Sequence, residues 1–115
     1  RQLLHRDYNL ANVLVHTGII TGVVDWQGMG YGDSMYDAAW TDFWVPELGF
    51  AVAYAEAAGE TEWRPRVRCY QLLMNARSLA FFINTGQEHR MGALPDKARK
   101  LLGAKSPDDF LGARN

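Results

Sequence analysis

Two short β-branched runs, residues 13–15 and 19–24, are separated by His16-Thr17-Gly18 and flanked by Asn12 and Asp25. This segment constrains the fold more than any other. Runs of that length on either side of a glycine-bearing turn predict a hairpin. An antiparallel hairpin brings the start of its first strand beside the end of its second. Asn12 and Asp25 therefore become neighbours, and Asp7 reaches over from the loop that runs into the first strand. One hairpin gathers two carboxylates and an amide oxygen at a single point. Hard oxygen ligands of this kind suit Mg²⁺, which needs only one or two carboxylates where phosphate completes its shell.

The glycines at 28, 30 and 32 follow, and they predict a flexible connector with a turn rather than a dinucleotide loop. The G-x-G-x-x-G spacing is lacking and no βαβ unit precedes them. Beyond them the pattern is helical. Ser34-Met35-Tyr36-Asp37 fits a capping box that opens a short helix towards Phe43. Pro46 suits a first helical turn, residues 48–58 favour helix, and Gly59 can end it. A helix beginning near Pro65 runs to Thr85 with Gly86 as its cap. It is apolar on most sides between Cys69 and Ile83, which predicts a central buried helix. Residues 95–102 with Gly103 form a last short helix. The division expected is 1–32 for loop and hairpin, 33–105 for the helical part and 106–115 for a tail, in one partial domain over residues 1–115.

Composition narrows the function classes. The chain has 115 residues, 48% of them apolar, and a net charge of −1, which favours neither nucleic acid nor a membrane surface. The acids and bases are segregated: residues 1–62 hold nine acids against Arg1 and Arg6, and residues 63–115 hold ten Lys or Arg against four acids. Either two solvated faces pair with one another, or the acidic half lines a site for a metal and a cationic substrate. Cys69 is the single cysteine, so no internal disulfide forms and a buried, inert thiol is expected. No apolar run approaches the roughly 20 residues that span a bilayer, and no signal peptide is expected. A cytoplasmic setting is the default. The four tryptophans are expected as core and pocket wall before a carbohydrate platform.

His5-Arg6-Asp7-Tyr8-Asn9-Leu10-Ala11-Asn12 matches the catalytic-loop pattern H-R-D-x-x-x-x-N of kinases. Val23-Val24-Asp25-Trp26 falls where kinases carry a magnesium-binding Asp-Phe-Gly. With Gly32-Asp33-Ser34 and Tyr36-Asp37, residues 3–46 resemble the aminoglycoside-phosphotransferase and choline-kinase-like superfamily. The run to Phe43-Trp44-Val45-Pro46 is most similar to its hygromycin-phosphotransferase branch. The resemblance implies an α+β fold: a protein-kinase-like C-terminal lobe in which catalytic loop and hairpin are followed by a helical bundle. It implies that Asp7 orients the acceptor hydroxyl and takes its proton, that His5 braces the loop, and that Asn12 and Asp25 hold Mg²⁺ on the phosphates of ATP or GTP. Asp33 and Asp37 are expected as structural caps first and as contacts to a small-molecule acceptor second. Arg6, Tyr8 and Leu10 depart from the residues usual in these antibiotic kinases, which bears on the acceptor more than on the phosphoryl chemistry.

Other parts of such a kinase are absent from the sequence. Lys97 is the first lysine, far beyond the loop, and no glycine-rich phosphate cover or Walker motif occurs. The expectation is a fragment whose N-terminal lobe is missing and which is inactive alone. The alternative is a non-catalytic remnant that keeps the fold and binds a ligand or partner.

Overall fold

A computed structural model describes residues 1–103 of the chain. The fold is α+β, with short antiparallel strand pairs followed by helices. It forms two compact units, Arg1–Tyr70 and the residues from Gln71 onward.

The first unit opens with strand β1, Gln2–Leu4, and continues through the polar loop to a 3₁₀ turn at Leu10–Asn12. The hairpin follows, with β2 at Val13–His16 and β3 at Ile19–Val23. Thr17 and Gly18 have φ of 49° and 77°, the left-handed pair of a two-residue turn whose twist matches that of the strands. Leu14 lies opposite Gly22 and Val15 opposite Ile20, so Thr21 is an extra residue and bulges the second strand.

Strand β4, Gly30–Gly32, pairs antiparallel with β1, which corrects the expectation of an unstructured glycine connector. The glycines serve close approach. A Cβ on Gly30 would lie 2.7 Å from the Arg6 guanidinium carbon, and one on Gly32 would lie 2.9 Å from Cδ1 of buried Leu4.

Helix α1, Met35–Trp44, begins without the expected capping box. Ser34 is itself helical and its hydroxyl donates to Glu60 at 3.2 Å. Asp33 accepts the Met35 N–H at 3.0 Å instead, and Asp37 is drawn away to the loop described below. Pro46–Leu48 makes a separate 3₁₀ turn, and left-handed Gly49 precedes helix α2, Phe50–Ala58. Asp42 accepts the Phe50 and Ala51 N–H groups at 2.8 and 3.0 Å, so a side chain of α1 caps α2. Ala38 and Ala39 of α1 and Ala51 and Ala55 of α2 are all buried. Small side chains let the two helices touch closely. Met35 and Phe43 complete this core, each contributing about 2–3 kcal/mol by leaving water.

Helix α3, Trp63–Asn84, starts in the first unit and ends in the second. It closes on left-handed Gly86, with the Gln87 N–H returning to the Phe82 carbonyl. The expected central buried helix is not what forms. In the first unit Val67 is buried; in the second, Met74, Asn75 and Phe82 are buried, their spacing of seven and eight residues tracing one helix face. Cys69 lies about 200° round from Val67 at 100° per residue, and it is exposed rather than buried; Ile83, in the second unit, is 54% exposed.

Within the second unit, a 3₁₀ turn at Glu88–Arg90 leads to helix α4, Leu94–Leu102, closed by Gly103. Buried Asn75 donates to the Leu94 carbonyl at 2.8 Å, which satisfies a polar group that would otherwise be costly there. The tail expected over 106–115 lies outside the described residues. No described helix is long and apolar enough to cross a membrane.

Candidate active site

The loop from His5 to Asn12 is held by a helix face and by its own side chains. Asp37, Trp40 and Thr41 stand at i, i+3 and i+4 on α1, and so share one face. All three reach the loop. Asp37 accepts the His5 N–H at 2.7 Å and the Arg6 N–H at 2.9 Å, while the Thr41 hydroxyl donates to the Tyr8 carbonyl. The Trp40 indole N–H donates to Asp7 Oδ1 at 3.1 Å. Arg6 has φ 69°, a conformation that disfavours a side-chain-bearing residue. The paired bonds from Asp37 to the peptide groups on either side of the His5 α-carbon keep the chain in that turn.

His5 is buried and joins the two ends of the hairpin segment. The Asp7 N–H donates to its Nδ1 at 3.1 Å, so the ring proton resides on Nε2, which donates to the Val24 carbonyl at 2.7 Å. The Trp26 ring lies 4.6 Å from the imidazole and the Trp26 N–H bonds the Val23 carbonyl.

Asp7 receives three side-chain donors. Asn9 Nδ2 reaches Oδ1 at 2.9 Å beside the Trp40 indole, and Asn12 Nδ2 reaches Oδ2 at 3.1 Å. Asn12 also donates to the Asp7 carbonyl at 2.8 Å. Its amide nitrogen is thus spent on Asp7, and its Oδ1 has no hydrogen bond among the described residues. The Asn12 carbonyl accepts the Val24 N–H at 2.9 Å, which continues the Val13–Val23 register and sets Asp25 one residue further along. Asp25 is exposed, has φ 63°, and has no hydrogen bond or ion pair among the described residues. Asp7 and Asn12 therefore touch, and Asp25 stands beside the Asn12 backbone.

An uncommitted carboxylate on Asp25 and an uncommitted amide oxygen on Asn12, whose backbone bonds the residue before Asp25, are donor types that fit Mg²⁺, given phosphate oxygens for the remaining positions. Among the described residues no three His, Cys, Asp or Glu side chains gather as a metal site. An all-protein cage among these side chains is thereby disfavoured.

Asp33 and Asp37 are built into the frame. The Arg66 guanidinium grips Asp33 through Nε at 2.9 Å and Nη2 at 2.8 Å, and it also reaches Glu60 at 3.0 Å. The Tyr70 hydroxyl donates to Asp33 at 2.8 Å. The Arg66 bond lowers the Asp33 carboxyl to about 2 against the raising effect of burial, and burial with the Asp33 contact pushes the Tyr70 phenol up to about 12. This ion pair joins the acidic stretch to the basic one at Arg66.

A cavity of about 360 Å³ opens on the His5 side of the loop between Tyr8, Trp26, Phe50 and Tyr54, with Asp37 in its wall. A second, of about 540 Å³, is lined by Gln2, Asp33, Glu60 and Arg66. Asp7 lines neither, so neither is where a hydroxyl held by Asp7 would sit. Trp40 and Thr41 were not singled out as site residues from sequence. The signal that could have found them is their i+3 and i+4 spacing from Asp37.

The chain is 39% identical to the hygromycin-B 4-O-kinase of Escherichia coli over an 80-residue alignment that covers 63% of this chain and 22% of that relative. The chain thus spans about a fifth of the length of the curated relative that it matches. No solved structure matches it. The model of the phosphotransferase enzyme family matches residues 1–70, the unit that holds the loop, the hairpin, α1 and α2. On that match the chain belongs to the phosphotransferase enzyme family.

Proposed function

We propose that residues 1–70 carry the catalytic loop of a kinase that moves the γ-phosphate of ATP or GTP to a hydroxyl of an aminoglycoside-like small molecule. The observation that carries this reading is the Asp7 carboxylate, fixed by three side-chain donors including Asn12, while the Val24 N–H bonds the Asn12 carbonyl and so sets unpaired Asp25 one residue beyond that bond. Asp7 orients the acceptor hydroxyl and takes its proton as the oxygen bonds to the γ-phosphorus. The bond from that phosphorus to the β–γ bridging oxygen breaks, and the nucleoside diphosphate departs. Asn12 and Asp25 are the residues that would hold Mg²⁺, which supplies charge neutralisation on the phosphates when bound. His5 is a positioning residue that ties Asp7 to the end of β3. Asp37 and Asp33 act as supports of the loop and of α1, and contact with the acceptor is secondary for both.

The protein-kinase-like C-lobe reading takes residues 1–115 as one partial domain: loop and hairpin over 1–32, helices over 33–105. A lysine and a glycine-rich cover for the phosphates are then supplied by a preceding lobe outside these residues. The late position of Lys97 and the short span of the relative covered support this. The setting proposed is cytoplasmic, where the nucleotide donor is abundant.

The test is an assay of labelled γ-phosphate transfer from ATP and GTP to hygromycin-like, kanamycin-like and neutral acceptors, with the natural protein that carries these residues. Transfer to the amine-bearing acceptors supports the reading. Binding of those acceptors without any transfer would replace it with a non-catalytic binding module.

A further inference from the structure

A carboxylate oxygen offers two good acceptor directions, and the two oxygens of Asp7 are filled unequally. Oδ1 takes Asn9 Nδ2 at 2.9 Å and Trp40 Nε1 at 3.1 Å; Oδ2 takes Asn12 Nδ2 alone, at 3.1 Å. We propose that Trp40 is a positioning residue for Asp7: together with Asn9 it saturates Oδ1 and leaves Oδ2 as the oxygen that receives the acceptor hydroxyl. This rests on the reading of Asp7 as the proton acceptor.

The donors on Oδ1 are themselves immobilised. The Trp40 ring is stacked with Phe43 at 6.3 Å between centroids and meets the edge of Trp44 at 5.8 Å. Phe43 is 1% exposed, so that side of the indole is fixed by core packing. Asp37 and Thr41, on the same helix face, clamp α1 to the loop. Asn9 is fixed from its other end, since its Oδ1 accepts the Ala11 N–H at 2.9 Å. An indole N–H needs a partner when it is buried, but Trp40 is only half-buried and water could have served it. Its aim at a carboxylate, through a charge-assisted bond, is therefore a feature of the site. Asn12, by contrast, divides its amide between Asp7 Oδ2 and the Asp7 carbonyl, which leaves one direction at Oδ2 open.

The experiment measures three-bond couplings from Asp7 Cγ to its backbone nitrogen and carbonyl carbon in isotopically labelled protein. Unsubstituted protein is expected to show one χ1 rotamer, and Trp40→Phe, which keeps the ring packing and removes the N–H, averaging between rotamers. Trp63→Phe, which removes an indole whose face carries the Arg64 guanidinium, should leave the Asp7 couplings unchanged. Unaltered Asp7 couplings in Trp40→Phe overturn the proposal. Should Trp40→Phe not fold, the indole N–H resonance of the unsubstituted protein decides. It is expected to move in Asp7→Asn while the Trp26 resonance stays, and a Trp40 resonance that stays overturns the proposal. In the phosphotransfer assay, Trp40→Phe should lower kcat about tenfold with KM unchanged, the size of one charge-assisted hydrogen bond. Absence of transfer in the unsubstituted protein would instead overturn the phosphotransfer reading, and the couplings would still decide what positions Asp7.

Discussion

Asp37 accepts two consecutive backbone N–H groups and so acts on the residue that the loop strains most, Arg6. Asp37→Ala strips both N–H groups of their partner, one of them on buried His5. The expected loss is about 2–3 kcal/mol, read as a lower urea midpoint with an unchanged slope. Asp37→Asn keeps one acceptor and should lose less. Asp33 contributes through a different route. Its folded pKa is depressed to about 2 from an ordinary 3.8, so its ion pair with Arg66 is fully present above the ordinary value and is lost as pH falls through about 2. Both side chains are partly open to solvent, which screens the pair, and the contribution is on the order of 1 kcal/mol. Thermal melts between pH 5 and 2 should show this loss in the unsubstituted protein, and Arg66→Ala should remove the part that Arg66 causes. Asp37 was legible in the sequence as a polar residue at a helix start, but its partners were not. Helix N-termini usually employ such carboxylates on themselves, and only the folded chain reveals that α1 lends this one to the loop.

At the level of elements, β1 and β4 were hidden because each is three residues long and β4 is two-thirds glycine, so neither carries a period-two pattern. The hairpin was readable because β-branched runs flank a turn whose Gly18 is left-handed. The two β4 glycines differ in what they tolerate. A Cβ on Gly32 meets Cδ1 of Leu4, which is 4% exposed and has nowhere to go, whereas a Cβ on Gly30 meets the end of the exposed, flexible Arg6 side chain. Gly32→Ala is therefore expected to cost about 1–3 kcal/mol and Gly30→Ala clearly less, as measured by chemical denaturation. Equal losses would show that the β1–β4 contact is not what sets these glycines. The capping box misread at Ser34 has the same origin as the hidden strands: Glu60 and Arg66, 26 and more residues away, redirect Ser34 and Asp33, and local spacing cannot report so distant a partner.

For the whole molecule, the acidic stretch from Asp33 to Glu62 is less free than its sequence suggests. Asp33 and Glu60 face Arg66, and Asp37 and Asp42 hold backbone N–H groups. Glu47, Glu56 and Glu62 remain exposed. Attraction for a polyamine-bearing acceptor should therefore weaken only modestly as salt rises past a Debye length of about 10 Å at 0.1 M, which a binding series across salt would show. The hairpin leaves Leu14 nearly half exposed and Val15, Ile19 and Ile20 more than half exposed. Residues 1–115 alone are thus expected to self-associate in light scattering and to transfer no phosphate. What the fold does hold in place is Asp7, and the kinase reading stands on its role. The most direct measurement is phosphate transfer by Asp7→Asn beside nucleotide binding, in the natural protein that carries these residues. A loss of roughly 10²–10⁴-fold in turnover is expected with Mg²⁺-nucleotide affinity retained, because Asn12 and Asp25 are untouched. Near-normal turnover in Asp7→Asn would contradict the kinase reading.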